Sequence, residues 1–243
     1  MFNRYIIENI KTLIYALIIA IIIRSLFLQP FYIPSSSMES NLLIGDRLFV
    51  TKYTYGYSKH SFPFSPPILS KRLFKSEPKY GDLVVFKTPS DNRTDFIKRL
   101  IGMPGDEIQM IDGNLFINKK IIPKKKINNR FDIRCAGYEK EVIEFTENLP
   151  NNKSYTSVYN SKGSMKNTDL YIVPEKHYFF LGDNRDCSSD SRFLSNVGYV
   201  HENNLVGKAR LIFFSNDTHR GSLLKFWNWR NSIRTDRFLK YIE

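Results

Sequence analysis

The sequence predicts a mainly β protein behind a single N-terminal apolar helix. Three observations carry this: one uninterrupted apolar run near the N-terminus, a series of short segments rich in β-branched and aromatic residues, and an Asp-Gly pair between two alternating segments. The apolar run comes first. Residues 13–23 are eleven apolar residues in a row, and with Arg24 and Gln29 tolerated near one end the stretch reaches from about residue 10 to residue 28. As a helix it measures about 28 Å, close to the ~30 Å hydrocarbon core of a bilayer. Arg24 can snorkel to the interface. A cleaved secretory signal also has a short apolar core behind basic residues such as Arg4 and Lys11, but it needs small residues at its cleavage site. Here Arg24-Ser25-Leu26-Phe27-Leu28-Gln29-Pro30 follows, with large side chains and a charge, so an uncleaved anchor is expected. Arg4 and Lys11 favour a cytoplasmic N-terminus, although Arg24 blurs the count. The remainder of the chain would then lie outside the cytoplasm.

After the anchor there is no second apolar span and no internal repeat. Residues 48–50, 83–86, 96–101, 178–181 and 206–214 have strand character and are bounded by Gly, Asp or Pro. Residues 107–111 and 114–118 flank Asp112-Gly113, a pair that supplies the positive φ angles of a tight hairpin. Residues 53–79, with Pro63, Pro66, Pro67 and Pro78, and the polar stretch 124–176 are expected to be excursions from the core rather than core strands. Lys119, Lys120, Lys124, Lys125 and Lys126 form a basic run expected to be a solvated face, since no recognition helix or interleaved aromatic pattern accompanies it. Lys225-Phe226-Trp227-Asn228-Trp229-Arg230 has the mixture of an interfacial segment, with a tail packed on the core as the alternative.

The 243 residues are 42% hydrophobic, enough for a packed core, and this composition excludes disordered, collagenous and disulfide-scaffold classes. Lys+Arg number 36 against 24 Asp+Glu, a formal charge of +12, which suits nucleic acid, anionic lipid or acidic substrates equally. Cys135 and Cys187, 52 positions apart, cannot build a disulfide framework or a four-cysteine zinc site, and they leave the redox compartment open.

Metal chemistry has little support: His60, His177, His201 and His219 show no i,i+4 pairing and no H-E-x-x-H frame, and no G-x-S-x-G elbow exists for a serine–histidine enzyme. Pro34-Ser35-Ser36-Ser37-Met38 would by itself be a turn or linker. Its position raises its interest, because 13 residues from Arg24 to Ser37 span at most about 45 Å, so these hydroxyls are leashed to the bilayer surface. A serine needs a base, and Lys98 fits. Strand alternation places it on the face of Phe96 and Leu100, with Arg99 on the other, and desolvation against an apolar wall lowers an ammonium pKa. A lysine that snorkels to water is the ordinary alternative. The third cluster is Gly182-Asp183-Asn184-Arg185-Asp186-Cys187-Ser188-Ser189-Asp190-Ser191-Arg192. In it Ser188 could donate to or accept from the lysine, and Asp190 with Arg192 could brace the loop.

Taken in order, the serine run, Tyr80-Gly81-Asp82-Leu83-Val84-Val85-Phe86, Phe96-Ile97-Lys98-Arg99-Leu100-Ile101-Gly102-Met103-Pro104-Gly105-Asp106 and the 182–192 block resemble the bacterial type I signal peptidase, or leader peptidase, family. The resemblance runs from the anchor to about Phe214. It implies a membrane-bound Ser/Lys-dyad endopeptidase that removes signal peptides from exported preproteins, on an antiparallel β-sheet fold of the LexA/signal-peptidase type. One N-terminal transmembrane helix and an inserted β subdomain complete that picture. By motif position, Ser37 is the nucleophile and Lys98 the general base, with Ser35 and the Ser37 N–H as the oxyanion hole. Ser188 would orient Lys98, with Asp190 as support. Ile33, Met38, Leu42, Phe96 and Ile97 would line small pockets for Ala-like side chains at two specificity positions. The implied organisation is an anchor at 1–30, a catalytic core at 31–106 and 178–243, and an insertion at 107–177. No cofactor, metal or nucleic acid is expected, and the partners are preprotein signal peptides and the lipid bilayer, with the protein a monomer in the bacterial inner membrane. Ser36 and Ser40 stand where many members have Gly and Pro, and Cys187 where Asn is frequent. Two rivals remain from the residues alone: an anchored β module that binds anionic lipid or a partner without catalysis, and a LexA-like self-cleaving regulator, which would need a DNA-binding helix-turn-helix where this chain has its apolar span.

Overall fold

The computed structural model describes residues 2–135, 138–160, 166–217, 227 and 229–242. The apolar run lies within one long helix, α1 (Phe2–Leu26). From Tyr5 to Arg24 its side chains are exposed, and only in the last turn is Ser25 buried. A core helix would bury a face, so these exposed apolar side chains call for a non-aqueous surrounding. The sequence placed the apolar stretch as far as residue 28; the helix instead stops at Leu26 and a strand, β1 (Leu28–Tyr32), follows one residue later. Pro30 accounts for the switch, because it cannot donate inside a helix yet is tolerated in an edge strand. β1 occupies that edge, pairing only with β2 (Asp46–Thr51).

The main sheet continues with β3 (Leu83–Lys87) and β4 (Asp95–Gly102). A short hairpin sheet is made by β5 (Glu107–Ile111), β6 (Asn114–Ile117) and β7 (Lys120–Ile121). The predicted Asp-Gly turn sits between β5 and β6, with φ of 49° at Asp112 and 71° at Gly113. Next come β8 (Lys124–Cys135), β9 (Tyr138–Asn148) and β10 (Ser154–Asn160), then β11 (Tyr171–Ile172) and β12 (His177–Leu181). The chain closes with β13 (Val200–His201), β14 (Leu205–Ser215) and β15 (Lys240–Tyr241). The main sheet runs β1-β2-β14-β3-β4-β12-β13, with β15 also on β14; a second sheet is β11-β5-β6-β7 and a third β10-β9-β8. Every pairing between named strands is antiparallel. One cluster of buried side chains lies under β2, β3 and β14 with Met38 and Leu42, another joins Val84, Phe86, Leu100 and Phe180, and a third lies between β4, β12 and the β5–β6 hairpin.

The stretch 124–176 departs from expectation. Instead of a loosely ordered excursion it holds the three-stranded sheet, whose strands are hard to see in the sequence because their buried positions include charges. Glu147 and Arg185 are each 1% exposed and form an ion pair at 2.6 Å. Tyr155 and Tyr159 donate to the same carboxylate at 2.6 and 2.7 Å, and both ring hydroxyls also accept from Arg185. Burial alone would raise the Glu147 pKa, but the guanidinium and the two phenols hold it below the ordinary value. Lys124 also departs from the solvated-face expectation for its basic run: its ammonium lies 4.9 Å from the centres of the Phe145 and Tyr159 rings and donates to the Gly113 carbonyl. Lys119, Lys120, Lys125 and Lys126 are exposed. The Trp-containing C-terminal segment lies largely outside the described residues; Trp227 and Trp229 are exposed.

Breaking the Glu147–Arg185 pair leaves a buried, uncompensated guanidinium. Glu147→Ala is expected to cost about 3–5 kcal/mol of stability, read as a fall in the midpoint of denaturant unfolding.

Candidate active site

Three segments meet at one end of the main sheet. The first is the serine turn between β1 and β2, where Ser36–Met38 form a single 3-10 turn. The second is β4, carrying Lys98, and the third the loop 182–192 that follows β12. β4 pairs with β3 on one side and β12 on the other, so Lys98 sits in the body of the sheet, opposite Val84. Its side chain is 4% exposed and its Nζ lies 5.3 Å from the centre of the Phe96 ring, on the face that strand alternation predicts.

Lys98 Nζ is 2.5 Å from Ser37 Oγ. Ser37 is itself only 6% exposed. Burial of the ammonium, aided by the nearby Arg192 charge, outweighs the attraction of Asp190 and Asp183 and lowers the Lys98 pKa to about 8. Ser35 Oγ lies 3.4 Å from Ser37 Oγ. A hydroxyl beside an amine whose neutral fraction grows through about pH 8 has the chemistry to work as a nucleophile–base pair, with a second hydroxyl at hand.

The surroundings fix this pair. Asn184 N–H donates to the Ser37 carbonyl at 3.1 Å and its side-chain amide to the Ser36 carbonyl at 3.2 Å, clamping the serine turn to the 182–192 loop. Asp183 receives a bidentate pair of 2.7 Å bonds from Arg99, the residue after Lys98, and a third 2.7 Å bond from Asn41. Asp190 accepts from Gly182 N–H at 3.0 Å and from Arg192 at 2.8 and 2.9 Å. Burial would raise the Asp190 pKa, but Arg192 and the Gly182 amide hold the carboxyl below its ordinary value. Gly182 itself is wedged: a Cβ there would stand 2.2 Å from Ser188 Oγ and 2.6 Å from the Ser37 carbonyl oxygen. Ser188 Oγ is buried beside the Asp190 carboxylate, whose pKa it helps to lower, and makes no hydrogen bond to Lys98.

Beside the pair lies a largely apolar cavity of about 450 Å³, which includes Ile33, Ser35, Ser37, Phe96, Ile97 and Lys98 in its walls. Met38 and Leu42, expected as lining residues, are not in the walls; both are fully buried in the core cluster beneath β2 and β14, Met38 at the end of the 3-10 turn and Leu42 in the bend after it, whose N–H bonds back to the Met38 carbonyl. Phe31, Tyr32, Val85 and Cys187 line it instead. Cys187 is joined to Cys135 in a disulfide, a bond the sequence left open, and its sulfur is 3.6 Å from Ser36 Oγ. Sequence reasoning also passed over Asn41 and the clamp made by Asn184. Asn184 stood inside a block already singled out, whereas Asn41 carries no pattern at all.

A family model described as "Signal peptidase, peptidase S26" matches residues 6–214. A signal peptidase I of Rickettsia conorii is 40% identical, with 93% of this chain and 89% of the relative aligned. One from Rickettsia typhi is 38% identical over 98% of this chain and 94% of its own length. A solved signal peptidase I from Enterococcus faecalis V583 is 25% identical over 55% of this chain and 97% of that one, at a TM-score of 0.32.

The buried amine predicts its own titration. With Lys98 labelled at Cε, its carbon resonance is expected to titrate near 8, while exposed lysines titrate near ~10.4. Gly182→Ala is expected to push the serine turn away from Lys98 and move that midpoint.

Proposed function

The chain belongs to the signal peptidase family, peptidase S26, and from that premise we propose that it is a membrane-bound serine endopeptidase that cuts signal peptides from exported preproteins with Ser37 as nucleophile and Lys98 as general base. The observation that carries the dyad is the buried amine at 2.5 Å from the serine oxygen, with its pKa lowered to about 8. Neutral Lys98 takes the Ser37 proton as Oγ attacks the scissile carbonyl carbon. Ser35 Oγ–H and the Ser37 N–H donate to the oxyanion that develops. The Lys98 ammonium then returns its proton to the departing amine, leaving an acyl-enzyme that a water, activated by the same lysine, hydrolyses. Ser188, whose buried hydroxyl lies beside Asp190, orients Lys98, and Asp190 with Arg192 holds the loop that carries Ser188.

The apolar cavity admits small side chains at the two specificity positions, with Ile33, Phe96 and Ile97 in its walls and Met38 and Leu42 supporting the floor from the core. We place α1 across the bacterial inner membrane with the N-terminus cytoplasmic and the β region outside. Arg4 and Lys11 support that orientation. So does the Cys135–Cys187 disulfide, a bond that persists in oxidising compartments outside the cytosol. The working unit is taken as a monomer divided into an anchor at 1–30, a catalytic core at 31–106 and 178–243, and an insertion at 107–177.

Ser37→Ala and Lys98→Ala are each expected to abolish cleavage of a purified preprotein in detergent, followed by mass analysis of the new N-terminus; substantial processing by either variant rejects the dyad. Ser35→Ala is expected to lower kcat by about 10²–10³. Because only the neutral amine is a base, kcat/KM is expected to rise about tenfold per pH unit below a midpoint near 8 and to level off above it. A profile flat from neutral to alkaline pH would contradict the assignment.

A further inference from the structure

A second cavity, of about 590 Å³, opens where α1 meets the β region. Arg24 from the last turn of α1 borders it, together with Lys52, Lys59 and His60 from the segment after β2 and Lys87 and Arg93 around the β3–β4 turn. Five cations thus face two carboxylates, Asp91 and Asp95, and both carboxylates are engaged. Asp91 accepts from the Thr88 and Thr94 hydroxyls and from the Arg93 and Thr94 N–H groups. Asp95 pairs with Lys87 at 2.9 Å. Among the described residues Arg24, Lys52, Lys59 and Arg93 have no carboxylate within ion-pair distance, so the cavity holds an excess of positive charge.

Two of its side chains are buried with their polar groups only partly satisfied. Lys52 is 2% exposed and donates to the Ser61 carbonyl at 2.5 Å. Burial and then the repulsion of Arg24 outweigh the attraction of Asp95 and lower its pKa to about 8, while no carboxylate reaches it as an ion-pair partner. His60 is 4% exposed, and its Nδ1 lies 2.8 Å from Ser65 Oγ while its Nε2 has no partner. With Nδ1 accepting from that hydroxyl, the neutral ring offers an unused Nε2–H donor. Four cations and one neutral donor form a recognition set for a phosphate. Arg24 fixes the depth of the cavity at the end of the apolar helix. Phe64, another wall residue, is 104% exposed at a φ of +62°, a conformation that costs an aromatic residue energy and leaves its ring standing free. Such a ring suits the boundary between headgroups and acyl chains.

We propose that this cavity seats the phosphate of an anionic phospholipid from the leaflet in which α1 ends. The proposal rests on α1 being a membrane anchor, and it is independent of the dyad chemistry. Arg24, Lys52, Lys59 and Arg93 bind the phosphodiester, His60 Nε2–H donates to it, and Phe64 lies among the acyl chains beside it.

The test is native mass spectrometry of the full chain in an uncharged detergent, with dioleoyl phosphatidylglycerol and dioleoyl phosphatidylcholine as separate probes. One phosphatidylglycerol is expected to be retained and phosphatidylcholine to be lost. The double variant Lys59→Gln/Arg93→Gln is expected to weaken retention about thirtyfold, two cations at the strength a basic residue contributes at an anionic surface. Lys59→Arg/Arg93→Lys should restore it, and Lys119→Gln/Lys125→Gln should leave it unchanged. Equal retention of the two lipids, or indifference to Lys59→Gln/Arg93→Gln, overturns the proposal. Displacement of the lipid by inorganic phosphate that binds as tightly alone would overturn it too, revealing a free-anion site. Preprotein cleavage by the unsubstituted chain, followed in the same detergent, reports separately on the peptidase reading.

Discussion

The structure is organised around one costly placement, an amine withdrawn from water beside a hydroxyl. Left alone, an ammonium at the Lys98 position would either pull itself to the surface or distort the strand that carries it. It does neither because the neighbouring charges are spoken for. Arg99 is locked onto Asp183 and Arg192 onto Asp190, with further bonds from Arg99 to the Gly81 carbonyl, from Arg192 to the Arg185 carbonyl, and to the two carboxylates from Asn41 and the Gly182 N–H. The two carboxylates soften the desolvation of Lys98 without reaching it as ion-pair partners, which leaves its pKa lowered but still close to neutral pH. Removing either arginine would free a carboxylate to recharge the amine.

The same loop whose charges act on Lys98 also fastens the serine turn. Asn184 spans from one to the other through two bonds to successive carbonyls, and Gly182 lets the backbones approach to a separation no side chain would permit. Behind the loop, Arg185 reaches into the third sheet, where Glu147, Tyr155 and Tyr159 receive it. The disulfide from Cys135 arrives at the same short turn. The polar sheet is thereby a buttress to the site.

Much of this was legible in the sequence, for physical reasons that differ by element. Strands β2, β3, β4, β12 and β14 announce themselves because both their faces or one of them is apolar, and the β5–β6 hairpin because Asp-Gly satisfies a specific backbone requirement. Phe96, Lys98 and Leu100 showed by alternation alone which way the amine faces. The third sheet was hidden because its interior is ionic: Glu147 and Arg185 look like surface residues until their partners are known, and the partners are distant in sequence. Strand β1 was hidden by a helix-like composition that only Pro30 interrupts. Met38 and Leu42 follow the serine closely and were natural candidates for the pocket, but the 3-10 turn at Met38 and the bend at Leu42 send both into the core, and spacing does not encode that. Asn41 had no pattern because its role is a pair of hydrogen bonds to groups more than a hundred residues away.

Only Phe27 separates α1 from β1, and the junction is tied at both ends, by Lys52 N–H to the Phe27 carbonyl and by Tyr57 to the Leu26 carbonyl. No slack exists there. With α1 seated in a bilayer, the Ser37–Lys98 pair would ride at a constant height. A peptide held in the same bilayer would then meet it at one level, and lipid thickness would limit which part of that peptide comes within reach.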